Sequence, residues 1–197
     1  MNKVILASFL VFASFIVHAQ DQKWSIEANY PFTLNDGAFT NNDGAIDLGV
    51  KYRFFRTDLV RLGIDLNGGF VYDKAGKNNE DSFKAKTYLF QPKVFAEFDV
   101  PFAPKFHPMI GLGYSVVSNN FSGTISGTDF SDRSGADGGF NFDIGIAYDF
   151  SKRLFLQLKY EMILLQVKDE VVFDNERISI DFRENINRLK IGLGFRF

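Results

Sequence analysis

From Trp24 onward, apolar and polar residues alternate one by one, in runs of about ten, and the pattern recurs eight times along the chain. Such alternation belongs to strands with two unlike faces, because successive strand side chains point to opposite sides. The last run is the sharpest. Leu189, Ile191, Leu193, Phe195 and Phe197 share one face, and Arg188, Lys190, Gly192, Gly194 and Arg196 share the other. Wound as a helix this segment would have no apolar stripe, whereas as a strand it has one clean apolar side.

The other seven runs repeat the arrangement. Trp24, Ile26, Ala28 and Tyr30 oppose Glu27 and its polar neighbours; Ile46 through Phe54 oppose Asp47, Gly49, Lys51 and Arg53; Val60 through Leu66 oppose Arg61, Gly63 and Asp65. Tyr88, Phe90, Val94, Ala96 and Phe98 oppose Gln91, Lys93, Glu97 and Asp99, and Ile110, Leu112, Tyr114 and Val116 oppose glycines and Ser115. Phe140 through Phe150 oppose Asn141, Asp143, Gly145 and Asp149, and Leu154 through Met162 oppose Gln157, Lys159 and Glu161. Roughly ten residues at about 3.3 Å each, tilted near 40°, cover about 25 Å, the height of an outer-membrane apolar band.

A soluble barrel would turn its apolar face inward, and three features favour the outward orientation. The polar faces are rich in glycine and carry matched charges. Eight acids (Glu27, Asp47, Asp65, Glu97, Asp99, Asp143, Asp149, Glu161) stand against eight bases (Lys51, Arg53, Arg61, Lys93, Lys159, Arg188, Lys190, Arg196), as a narrow self-neutralising interior requires. All seven tyrosines fall on the apolar face, mostly near strand ends, where a membrane interface favours a ring with a polar tip. The connections also alternate in length. Residues 55–59 and 151–153 read as short turns and 101–107 as a moderate one, whereas 33–43, 73–84, 118–139 and 166–187 read as long polar loops. Within the last loop, Val171–Phe173 and Ile178–Phe182 alternate again, which predicts a hairpin turning near Asp174-Asn175-Glu176. Pro92 falls inside the fourth run and removes a ladder donor, so a bulge that shifts the register is expected there.

The N-terminus has its own signature. A short positive start at Lys3 precedes an apolar stretch over residues 4–17 and the small-residue site Val17-His18-Ala19. This predicts a signal peptide over 1–19, cleaved after Ala19, with a barrel domain over 20–197; an uncleaved membrane anchor is the alternative.

Eight alternating runs, an export signal and a terminal Leu193-Gly194-Phe195-Arg196-Phe197 resemble the small outer-membrane barrel family of the OmpA barrel domain and OmpX, and the "porin family" barrels of Bacteroidetes. The resemblance implies an all-β, eight-stranded antiparallel up-and-down transmembrane β-barrel in the outer membrane of a Gram-negative bacterium. It also implies outer-membrane lipid as surroundings, and a barrel-assembly machinery that reads Phe195 and Phe197.

The sequence holds little catalytic material. There is no cysteine; His18 leaves with the signal, and His107 is placed in a periplasmic turn. No cofactor is expected, and a net charge of −2 offers no basic field for nucleic acid. Asp129, Asp132 and Asp137 fit no calcium-loop spacing and read as a solvated loop. The candidate site is therefore the interior charge network, structural or pore-lining: Glu27, Asp47, Lys51, Arg53, Arg61, Asp65, Lys93, Glu97, Asp143, Lys159, Glu161, Arg188, Lys190 and Arg196. The expected function is non-enzymatic, structural or surface-interacting through the long loops, with an unknown surface ligand. The alternatives are a narrow channel for ions or small solutes, and a soluble lipocalin-like carrier.

Overall fold

The computed structural model describes residues 22–34, 44–78, 81–125, 128–173 and 176–197, with side chains left out over 74–82, 125–135 and 168–181. The predicted signal peptide and most of 33–43 lie outside the described residues. Eight strands, β1 (Trp24–Thr33), β2 (Gly44–Arg56), β3 (Val60–Asn78), β4 (Asp81–Phe98), β5 (Phe106–Ile125), β6 (Thr128–Asp149), β7 (Leu154–Phe173) and β8 (Glu176–Arg196), close in chain order into one antiparallel ring. Closure is sealed by β1 against β8, where Trp24 and Phe197 exchange backbone hydrogen bonds of 3.1 and 2.9 Å.

The ring is staggered. From Thr33, registered partners run through Arg188, Glu161, Asp143, Gly111, Phe95, Gly63 and Arg53, whose amide donates to Lys23, ten residues below the start. Such shear tilts the strands and leaves a lumen that side chains can fill.

The apolar faces point outward. Trp24, Ile26 and Tyr30 are exposed along β1 while Ser25, Glu27 and Asn29 are buried. This is the reverse of a soluble carrier with an apolar lumen. Aromatic pairs mark two levels on the outer wall: Trp24–Tyr52 and Phe106–Tyr148 near the short turns, and Tyr30–Phe32, Phe70–Tyr88 and Tyr114–Phe140 near the other end. These are interface girdles, rings whose amphipathic edges suit the headgroup region.

Several expectations are corrected. The segments 73–84 and 118–139 are mostly strand: β3 pairs with β4 as far as Asn78↔Asp81, and β5 with β6 as far as Ile125↔Thr128. Outside the membrane neither hairpin face must be apolar, so backbone pairing continues where the alternation fades. Asp129, Asp132 and Asp137 are accordingly spaced along β6, opposite Thr124, Phe121 and Val117, rather than gathered in a loop. The hairpin of β7 and β8 pairs as far as Phe173↔Glu176. Pro92 makes no bulge. It pairs with Leu66 on one side, and on the other the ladder breaks after Phe90↔Val116 and resumes at Lys93↔Gly113 in the same register. A missing donor here interrupts the bonding without slipping the strand. A bulge lies instead between Arg53 and Phe55, which turns Phe54 and Phe55 outward together.

Candidate functional site: the barrel interior

The inward side chains of the strands fall at shared heights. Upward from the short turns, β4 presents Glu97, Phe95, Lys93, Gln91 and Leu89; β7 presents Phe155, Gln157, Lys159, Glu161, Ile163 and Leu165; β8 presents Arg196, two glycines, Lys190, Arg188 and Ile186. The lumen is therefore layered.

The lowest layer is a ring of charges at the mouth. Glu97 receives Arg53 at 2.8 Å, Arg61 at 2.7 Å and Arg196 at 3.4 Å. Arg61 also binds Asp99, and Arg196 binds Asp149. His107 bridges the two outer carboxylates, with Nδ1 2.9 Å from Asp99 and Nε2 3.0 Å from Asp149. Three carboxylates face three guanidiniums. His107 is thus on β5 and buried, not in a turn as expected; carrying the inward parity of Gly111 and Met109 down by one step would have placed it there.

Above the mouth lies a soft layer of Phe95, Met109, Ala147 and Phe155. The Arg196 guanidinium sits 4.3 Å from the Phe155 ring centre, and Lys51 and Arg53 lie 5.2 and 5.7 Å from Phe95. These cation–π contacts let charges border an aromatic layer without losing all electrostatic support. Two glycines make room for it. A Cβ at Gly63 would fall 2.6 Å from the Phe95 ring, and one at Gly194 would fall 2.1 Å from the Phe155 ring.

The third layer holds the remaining charges. Glu27 accepts from Lys51 at 2.7 Å and Lys159 at 3.1 Å, and Lys51 reaches Asp65 at 3.9 Å. Lys93 bridges Asp143 and Glu161, both at 2.8 Å. Glu161 also receives Lys190 and Arg188, which in turn face Asp47. Gln91 accepts from Arg188 at 3.1 Å and donates to Ser115 at 2.8 Å. Five carboxylates (Glu27, Asp47, Asp65, Asp143, Glu161) meet five cations (Lys51, Lys93, Lys159, Arg188, Lys190). All are buried, where an unpaired ion would cost several kcal/mol.

The top layer is apolar: Ala45, Val71, Leu89, Val117, Ile163, Leu165 and Ile186 pack together with Val167 against them. This cap was missed from sequence because the expected interior was polar throughout. Its signal was the stretch Met162-Ile163-Leu164-Leu165, apolar on both faces.

All fourteen candidate residues therefore lie in the lumen, divided between two charged layers, and Asp99, Asp149 and His107 complete the lower one. Phe195 and Phe197 stack on the outer side, ring centres 6.3 Å apart. Both ring nitrogens of His107 face carboxylates, so in this arrangement neither is turned to a hydroxyl as a base would be.

A closed ring with an apolar outside, two aromatic girdles and a filled, charge-matched inside defines a transmembrane β-barrel. The chain belongs to the outer membrane protein beta-barrel domain family, which matches residues 6–197, and it resides in the Gram-negative outer membrane. Its fold is similar to Neisserial surface protein A (TM-score 0.56, 16% identity, covering 89% of this chain and 97% of that one). It is also similar to Ail of Yersinia pestis (0.53, 16%, 88% and 96%) and to outer membrane protein W of E. coli (0.52, 16%, 89% and 97%). Among curated proteins, none matches the sequence.

Proposed function

We propose that the protein is a non-enzymatic surface scaffold: a sealed barrel that anchors strands projecting outside the cell. The observation that carries this reading is the filled lumen, two neutral ionic layers under an apolar cap, which leaves the outer wall and the projecting hairpins as working surfaces. The projection is uneven. β1 has 10 residues, whereas β5 to β8 have 20 to 22, and the excess rises beyond the upper girdle.

Export through a signal peptide cut after Ala19, and assembly by machinery reading Phe195 and Phe197, belong to the same proposal. Ail has been solved in complex with the heparin analogue sucrose octasulfate, and this chain exposes Lys84 and Lys86 on projecting β4. A sulfated polysaccharide is thus the first surface ligand to test. Cells displaying the wild type should bind to heparin-coated plates, and Lys84→Glu with Lys86→Glu should abolish binding while the heat-shifted gel band of the folded barrel persists. Equal binding by both would remove this ligand, and equal adhesion to all surfaces by cells lacking the protein would remove the adhesive role.

A further inference from the structure

The outer wall is not evenly covered. Across β3, β4 and β5 the outward row reads Leu62, Ala96, Ile110, with Ala96 paired to both neighbours. Ala96 is the low point of an apolar groove of about 460 Å³, walled by Phe54, Val94, Leu112 and Phe142. That volume falls in the range of about 300–1,000 Å³ typical of small-molecule sites.

Phe54 also lines a second cavity, of about 360 Å³, at the barrel rim beside Lys23, Arg53, Arg56, Arg61 and Asp149. Arg56 meets the charged ring of the mouth there. Arg53 and Arg61 already share Glu97. Arg56, exposed and directly opposite Arg61, makes no ion pair among the described residues. The bulge after Arg53 creates this junction, because it turns Phe54 outward at the edge of the groove and leaves Arg56 on the mouth side.

We infer that the β2–β6 flank is a seat for an anionic glycerophospholipid of the periplasmic leaflet, its acyl chain in the Ala96 groove and its phosphate at Arg56. The groove opens to membrane hydrocarbon, so its occupant is a hydrocarbon chain. The adjoining rim cavity lies near the lower girdle, at headgroup depth, and Arg56 adds a cation to a mouth ring already balanced three against three, so the chain's head is an anion. Bidentate guanidinium contact suits a phosphate oxygen pair. A zwitterionic head would bring its ammonium against the same cations and is disfavoured.

Native mass spectrometry of the full chain, refolded in micelles with dioleoyl-phosphatidylglycerol or dioleoyl-phosphatidylcholine, tests the seat. The wild type should retain one phosphatidylglycerol and far less phosphatidylcholine. Ala96→Phe fills the groove and should remove the adduct. Arg56→Gln should weaken it about fivefold, and Leu193→Phe on the opposite flank should leave it unchanged. The heat-shifted gel band reports folding, and Ala96→Leu replaces Ala96→Phe if the larger ring prevents it. Equal retention of the two lipids, an adduct that survives filling of the groove, an adduct indifferent to Arg56, or a dimer in place of the lipid adduct would each overturn the inference.

Discussion

Up to Arg188 the lumen is filled mainly by charge, in two ionic layers with an aromatic layer between them; above it, by an apolar cap. The two halves use the same strands and the same inward parity, yet they are stabilised differently. The lower half depends on pairing. Glu161 holds Lys93, Lys190 and Arg188, and Glu97 holds three arginines. Removing either hub leaves buried cations unmatched. The upper half depends on volume, since its loss is a cavity rather than an orphaned charge. The aromatic layer separates the two ionic layers, and no ion pair among the described residues crosses it. Each ionic layer is neutral by itself, five against five and three against three, so neither needs the other to be balanced.

The largest expected effect is at a hub. Glu161→Ala should destabilise the refolded barrel by about 3–5 kcal/mol, read from urea unfolding in micelles. Replacing Arg188 as well, by Met, should recover part of that loss, because Lys190 then has Asp47 to itself and the surplus cation disappears, while Lys93 keeps Asp143. A double variant no better than the single would break the pairing account. In the cap, Ile163→Ala should cost about 2–4 kcal/mol in the same assay, while the volume-conserving Ile163→Leu should cost less than about 1.5 kcal/mol. Equal losses from both would mean that volume is not what the cap supplies. Between the two ionic layers, Phe155→Leu should cost about 1–2 kcal/mol through lost contact with Arg196 and poorer filling above Gly194. The smallest effect is on the outer wall: Leu156→Ala should change stability by under about 1 kcal/mol, because lipid tails replace what the side chain covered.

How legible each region was follows from the same contrast. Alternation is strongest where one face meets lipid and the other meets charge, so the lower barrel could be read residue by residue, including inward Lys51, Lys93 and Glu161. The pattern disappears where both faces are apolar, as at Ile163 and Leu165, or both polar, as along residues 118–137. Those are the places where the cap went unseen and long hairpins read as loops. His107 was misplaced because the connection was drawn over 101–107, whereas β5 already begins at Phe106. Which acid meets which base depends on the stagger of the ring, which no local pattern carries; Lys93 of β4 reaching Glu161 of β7 is such a pairing. The bulge after Arg53 was equally silent, since Arg53-Phe54-Phe55-Arg56 shows no turn residue.

Whether the lumen is sealed is read by planar-bilayer recording of refolded protein whose heat-shifted gel band shows it to be folded. A sealed lumen gives a flat baseline for the wild type in molar salt at moderate voltage. Discrete, reproducible steps from wild-type barrels, altered when Glu161 or Lys190 is replaced, would contradict it and make the central ionic layer the lining of a pore.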